Sequence, residues 1–357
     1  MQKSCAFIVI DSGFSQEVLK GANLIAAWDL TDNRLFETTD GCLSSQQVAR
    51  FAGDPMGHGS IVLSKLRAIE PDAKLILIKA FGKNDVCRTQ WESGRIVQPG
   101  WVEGYVWAVR LAESRGMVSV ANCSFGGYHH AMDSTGWEAM QVGQCTGAGK
   151  PGHIVVAAAG YGDARPVRGS LKLLEGESKE FIGSQEGSAS YNFWFGLGQE
   201  SIGKTKWELE AWLNDKLMFR TDSDEVPANI WNGKQQLTFS MHGSGSVQIE
   251  VRQTDSYEAN GGLKVDVWAE SARFYKWIST ELMPEPACFN NVISVGLRAS
   301  SYGAAQEVVG AKPEILLPGS GQISFRLPEV VVAIGRMLEK DPGLDLPKVK
   351  LMLPKFW

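Results

Sequence analysis

Five short apolar runs constrain this chain more than any other feature: Ala6–Ile10, Leu75–Lys79, Val118–Ser124, His153–Gly160 and Asn291–Gly296. They lack the polar alternation of a half-exposed strand, and β-branched residues are frequent in them. A strand read this way is buried on both faces, which requires a parallel sheet covered by helices on either side. Stretches with helical periodicity fall between the runs: Ile61–Ile69, Val102–Ala112 and Trp137–Thr146. The alternation predicts an α/β fold, a doubly wound and mostly parallel sheet.

From about Asp163 to Glu285 the texture changes and helical periodicity is lost. Short alternating runs follow one another: Ser170–Leu174, Tyr191–Leu197, Lys206–Leu213, Lys216–Arg220, Gln236–Met241, Val247–Arg252, Lys264–Ala269 and Lys276–Thr280. Gly243-Ser244-Gly245 and Asn260-Gly261-Gly262 fit hairpin loops. Six of the twelve Trp fall here, which marks an aromatic-packed layer. The spacing predicts an all-β sandwich, jelly-roll-like, inserted into the α/β unit. The expected division is 1–163 and 286–340 for the two parts of the α/β domain, 164–285 for the insert, and 341–357 for a C-terminal tail. The tail carries three prolines and shows no clear helix.

At 357 residues the chain can bury a full core in each of two domains. Its net charge of −5 gives no electrostatic reason to expect nucleic acid or an anionic membrane as a partner. No run reaches transmembrane length. The apolar start, Cys5–Ile10, is too short for a signal peptide and lacks a small-residue cleavage pattern. Cys5, Cys42, Cys87, Cys123, Cys145 and Cys288 lack metal-ligand spacing and read as reduced thiols. A cytoplasmic protein without metal or cofactor is expected.

Three polar residues stand where chemistry could be done. Asp11 closes the first apolar run in Asp11-Ser12-Gly13, and in open α/β sheets sites gather at such strand ends. His58 lies between two glycines in Gly53–Ser60, at the start of a helical stretch. Ser324 lies in the polar turn from Gly319 to Glu329, which opens the apolar run Val330–Leu338. A serine at a helix start meets N–H groups and a dipole that favour an oxyanion, and it is equally an ordinary cap. The order Asp…His…Ser is one in which serine-protease triads occur. A hydroxyl needs an imidazole to take its proton, and the imidazole needs a carboxylate to fix its tautomer and stabilise its cation.

The surroundings of these residues resemble the subtilisin-like serine protease family. Val9-Ile10-Asp11-Ser12-Gly13 is similar to its aspartate motif, and Gly57-His58-Gly59-Ser60 to its histidine motif. Asn122-Cys123-Ser124-Phe125-Gly126-Gly127 matches its Asn-x-Ser-x-Gly-Gly segment, and Val155–Gly160 its Val-Val-Ala-Ala-Ala-Gly segment. Lys312-Pro313-Glu314-Ile315-Leu316-Leu317-Pro318-Gly319 resembles the lead-in to its nucleophile. The resemblance spans about Ala6–Asp163 and Pro286–Leu338. In position and strand count, the insert is similar to that of clostridial germination proteases in this family.

The resemblance implies a triad of Asp11, His58 and Ser324. It implies a primary specificity pocket with Ser124, Phe125, Gly126 and Gly127 as one wall and Ala158, Ala159 and Gly160 as the other. Ser124–Gly127 would also offer backbone groups to an extended substrate strand. A peptide or protein substrate is expected, with a protein partner possible on the insert. Calcium is common in the family, but no acidic loop here marks a site. His129-His130 reads as a solvated loop.

Two departures stand out. Tyr161 occupies the position of the family's oxyanion asparagine, and Gln322-Ile323-Ser324-Phe325-Arg326-Leu327-Pro328 keeps only the Ser and Pro of Gly-Thr-Ser-Met-Ala-x-Pro. Arg326 could bind an acidic substrate group or block the cleft. The expected activity is a serine endopeptidase with an atypical oxyanion site and restricted or regulated activity. The alternatives are a catalytically impaired pseudoprotease acting as a binding module, and a peptide macrocyclase or transpeptidase on the same fold.

Overall fold

A computed structural model of the chain describes residues 3–38, 41–82, 86–92, 95–127, 133–160, 168–196, 205–228, 231–255, 262–277, 283–297, 312–319 and 321–353. Two compact units emerge. One comprises Met1–Gly127, Met132–Gly162 and Met283–Trp357, and the other chiefly Asp163–Leu282.

The first unit begins with β1 (Cys5–Asp11), α1 (Gln16–Leu19), β2 (Asn23–Asp29) and β3 (Arg34–Glu37). It continues through α2 (Ser45–Phe51), α3 (His58–Ile69), β4 (Lys74–Lys79) and a small hairpin of β5 (Gln90–Glu92) and β6 (Arg95–Gln98). Then come α4 (Trp101–Ser114), β7 (Val118–Cys123), α5 (Trp137–Cys145) and β8 (His153–Ala158). In β1, β7 and β8 every residue is buried, as the unbroken apolar runs require.

The second unit has seven strands among its described residues: β9 (Arg168–Leu173), β10 (Ser178–Gly196), β11 (Lys206–Leu213), β12 (Lys216–Asp222), β13 (Gln235–Met241), β14 (Gly245–Asp255) and β15 (Leu263–Phe274). They form one antiparallel sheet in the order β12-β11-β14-β10-β15-β9, with β13 also paired to β10. The 19-residue β10 pairs with β14 through Ser178–Gln185 and with β13 through Ala189–Phe195. A register shift between Gln185 and Ser190 separates the two halves. Phe195 stacks on Trp207 of β11, and Phe219 of β12 stacks on Phe239 of β13 at 4.4 Å. The sheet therefore folds over an aromatic core, and its two layers share β10.

Two sequence expectations change here. The run Tyr191–Leu197 is only the second half of β10, and Ser178–Ser190 was not expected to be strand. That half looks like a turn because of Gly183 and Gly187. Gly183 is required by close packing, since a Cβ there would lie 2.0 Å from the Arg273 carbonyl oxygen. The run Lys276–Thr280 does not extend the sheet: β15 ends at Phe274, Lys276 and Trp277 lie in a bend, and 278–280 fall outside the described residues.

After the insert come β16 (Ile293–Leu297), β17 (Ile315–Leu317), a 3₁₀ turn at Ile323–Phe325, α6 (Leu327–Lys340) and α7 (Leu346–Met352). The main sheet has eight strands in the order β17-β16-β8-β7-β1-β4-β2-β3. All its pairs are parallel except β2–β3. Alternate residues of β1 go to opposite faces. Phe7 and Val9 join a core with Val62, Leu66, Val331 and Ile334 of α3 and α6. Ile8 and Ile10 join one with Tyr105, Val109 and Val142 of α4 and α5. The doubly wound sheet is thus as the sequence predicts.

The tail departs from expectation. Residues 346–352 form α7, capped by Asp345, whose carboxylate accepts from the Lys348 N–H. Leu346, Val349 and Leu353 are buried in the core on the α3 and α6 side of the sheet. The proline at its second position is compatible with a helix start, so it does not break the helix. The insert boundary also moves. Met283, Pro284 and Glu285, expected in the inserted domain, belong to the α/β unit.

Candidate active site

The strand order fixes where a site can form. From β1 the chain builds outward through β4, β2 and β3 on one side. From β7 it builds outward through β8, β16 and β17 on the other. The carboxyl ends of β1 and β7 flank the point where the order reverses, which is where open α/β sheets leave a crevice. Asp11 ends β1, and Ser124 directly follows β7.

Asp11 is 1% exposed. Its Oδ1 lies 2.7 Å from Nδ1 of His58 and accepts the Ser12 N–H at 2.7 Å. His58 is the first residue of α3, and the preceding Gly57 has φ 72°, a left-handed conformation that glycine adopts without strain. Gly59 serves differently: a Cβ there would lie 2.2 Å from the Gly13 carbonyl oxygen and 2.9 Å from Asp11 Cβ. Its bare backbone lets α3 approach the end of β1 closely enough for the pair to meet.

Sequence reasoning missed Asp54. One of its oxygens accepts from Ser12 Oγ at 2.7 Å and Gly57 N at 2.9 Å. The other accepts from Ser60 N at 2.8 Å and Ser60 Oγ at 2.6 Å. Ser12 Oγ in turn accepts the Gly59 N–H at 3.0 Å. Asp54 thus satisfies orphan donors at the start of α3 and ties that start to β1. An aspartate just ahead of a predicted helix was the available signal.

Burial pushes the Asp11 carboxyl above the usual carboxylate range, opposed by the hydrogen bond and charge of His58. Burial also works to lower the His58 imidazole, but the Asp11 hydrogen bond and charge, with a smaller contribution from Asp54, outweigh it. The imidazole sits above its ordinary 6.5.

Ser324 is buried in the 3₁₀ turn that leads into α6. Its Oγ donates to the Ser124 carbonyl at 3.0 Å, and Ser124 Oγ donates to the Ser324 carbonyl at 3.0 Å. Asn122 Nδ2 donates to Ser124 Oγ at 2.9 Å. The next residue, Phe325, lays its ring 5.5 Å from the imidazole. His58 Nε2 is buried with no hydrogen-bond partner. The structure therefore joins Asp11 to His58 and brings the serine turn against the imidazole, while the Ser324 hydroxyl faces Ser124. Arg326 is anchored locally: its guanidinium pairs with Glu329 and donates to the Pro318 carbonyl at 3.1 Å.

The residues expected as pocket walls are largely enclosed. Phe125 is buried against the rings of Phe81 and Trp101, at 5.3 and 5.5 Å, so it belongs to the core. The backbone of Gly127 is not open to a substrate strand. Its N–H donates to the Glu285 carbonyl at 3.1 Å, and its carbonyl accepts the Glu285 N–H at 2.9 Å. Ala158 and Ala159 are buried, with the Ala159 N–H on the Val295 carbonyl, and Gly160 has φ 108°. Tyr161, His129 and His130 lie outside the described residues.

No family model matches the chain, and no curated protein matches it. Among solved structures, the CspB protease of Clostridium perfringens is similar with a TM-score of 0.71 and 16% identity, over 99% of this chain and 88% of that one. The fold is that of a subtilase. A second similar structure is fervidolysin from Fervidobacterium pennivorans, a keratinolytic enzyme related to subtilisin. It has 17% identity and a TM-score of 0.27, over 44% of this chain and 22% of that one.

Within the subtilase fold, the lead-in to the serine turn is a structural clasp. Lys312 Nζ donates to the carbonyls of Ala287 and Val292 at 2.7 and 2.9 Å. Glu314 accepts from the Ser294 N–H at 2.7 Å and pairs with Lys350 of α7 at 2.6 Å. Among the described residues, no group of three or more His, Cys, Asp or Glu side chains could hold a metal ion. No described helix is long and apolar enough to cross a membrane. The six cysteines are thiols, with no disulfide among them.

Proposed function

We propose that this chain is a serine endopeptidase in which Ser324 attacks the peptide carbonyl, His58 moves the proton and Asp11 supports His58. One observation carries the reading: a buried His58 Nε2 without a partner, on an imidazole whose Nδ1 is bonded to a buried carboxylate. This chemistry requires the Ser324 hydroxyl to leave the Ser124 carbonyl for Nε2. Oγ then bonds to the carbonyl carbon as its proton passes to Nε2, and Asp11 stabilises the imidazolium. The same proton goes to the leaving amine as the C–N bond breaks, and water releases the acyl group by the reverse roles. The subtilase fold of CspB supports the reading.

A fluorophosphonate tests this directly, since it needs only an activated serine. Wild-type protein is expected to be labelled, and Ser324→Ala is expected to lose labelling entirely. A second reading, a binding module that has lost its chemistry, is favoured by the reciprocal Ser324–Ser124 bonds, which engage the hydroxyl. Failure of the wild type to label across pH 6–9 would establish that reading instead.

The labelling rate should depend on pH with a definite sign. The attacking form needs a neutral imidazole, and the imidazole is held above 6.5. The rate therefore rises with pH through one ionisation above that value. Stability moves oppositely. A histidine raised on folding contributes stability that is fully present below its unfolded value and is lost as pH rises through its folded value. A labelling profile whose midpoint lies below 6.5 would contradict the Asp11–His58 coupling.

A further inference from the structure

The space between the two expected pocket walls is occupied by Pro284. A Cβ built on Gly126 would lie 2.6 Å from Pro284 Cβ and 2.7 Å from its Cγ. One built on Gly160, on the opposite wall, would lie 3.3 Å from Pro284 Cδ. Both glycines thus turn their missing side chains toward one pyrrolidine ring, and that ring is buried. Gly126 lies two residues beyond Ser124, whose carbonyl holds the Ser324 hydroxyl.

The ring is held in place from several sides. The Pro284 carbonyl accepts the Cys288 N–H at 3.0 Å. Glu285 is bonded to Gly127 through both its backbone groups. Its carboxylate, 2% exposed, takes Arg88 Nη1 at 2.7 Å. The same ion pair lies against Gly127, where a Cβ would meet Arg88 Nη2 at 2.8 Å and Glu285 Oε1 at 2.9 Å. Withdrawing the ring means breaking a buried ion pair and a two-bond backbone bridge together, so Pro284 acts as a fixed floor and not as a lid.

We propose that Pro284 makes the first pocket shallow, so that the residue supplying the scissile carbonyl is glycine or alanine. This rests on the serine-peptidase reading above. A side chain of leucine or phenylalanine size needs the volume the ring occupies, and a close-packed ring backed by an ion pair does not yield it. Discrimination by hydrophobic pockets runs about 10–200-fold per methylene, so selection against a large side chain should reach about 10²-fold or more.

The test uses full-length protein and peptidyl diphenyl phosphonates that place glycine, alanine, leucine or phenylalanine next to phosphorus. A simple fluorophosphonate serves as the reference, because it carries no residue for the pocket. In the wild type, glycine and alanine probes should label at least about 10²-fold faster than leucine and phenylalanine probes. Pro284→Gly should narrow that gap at least tenfold when each peptidyl rate is divided by the same protein's fluorophosphonate rate. A wild type that prefers leucine or phenylalanine overturns the proposal whether or not the variant folds. So does a folded Pro284→Gly with an unaltered profile; Pro284→Ala, which removes most of the ring, stands in if the glycine variant is unfolded. Fluorophosphonate labelling with the wrong selectivity leaves the peptidase reading intact. Absence of all labelling removes both.

Discussion

His58→Ala should lower turnover by about 10⁶-fold, the loss that removing the corresponding base causes in subtilisin. His58 is the group through which both Ser324 and Asp11 would act. Among the described residues, its buried Nε2 has no hydrogen-bond partner. Single-turnover acylation of a chromogenic peptide ester would measure the loss, and a variant within tenfold of wild type would overturn the assigned role. Asp11→Asn should be milder. The Ser12 N–H and His58 Nδ1 both address Oδ1 of Asp11, so an asparagine carbonyl oxygen can take that position and keep the imidazole tautomer. What it removes is the charge that raises His58. The rate profile of that variant should therefore shift to lower pH, a change that a purely structural Asp11 would not produce.

The largest expected effect on stability lies in the second unit. Trp207→Ala should cost about 3–5 kcal/mol, the range for deleting a buried large aromatic ring. Trp207 is 1% exposed and stacks on Phe195 with centroids 3.6 Å apart and planes 5° from parallel. Its Nε1 also donates to Gln235 Oε1 at 2.7 Å. The substitution leaves both a cavity and an acceptor without its donor. Urea denaturation followed by tryptophan fluorescence and by far-ultraviolet circular dichroism would measure it. A loss under about 1 kcal/mol would mean that the sheet does not depend on the stack joining its layers.

How much of this was legible in the sequence depended on how local each determinant is. The buried strands β1, β4, β7 and β8 were readable because burial on both faces leaves an unbroken apolar run. The helix α3 was readable from its periodicity and the glycines at its start. The helix α7 was not, because seven residues holding a proline look like a loop until Leu346, Val349 and Leu353 join the core on the α3 and α6 side of the sheet. The first half of β10 was hidden by Gly183, which close packing demands, and by Gly187, whose φ of 75° sits at the register shift. Asp54 was hidden because its four donors come from three places in the chain, Ser12, Gly57 and Ser60, and only the fold gathers them.

The candidate site divides in the same way. Asp11, His58 and Ser324 could be named from residue type and order because the proposed chemistry tolerates few substitutes at each role. Their pairing is tertiary. The 2.7 Å contact between Asp11 and His58 spans 47 residues and depends on Gly59 letting a helix approach a strand end. The orientation of the Ser324 hydroxyl toward Ser124 spans 200 residues. Local sequence fixes which segments are strands and helices, since backbone preference and the period of burial act over a few neighbours. What fills the space between distant segments is decided only by packing. Gly126 and Gly160 could be named from their segments, but Pro284 could not, and only the folded backbone brings the three to one place.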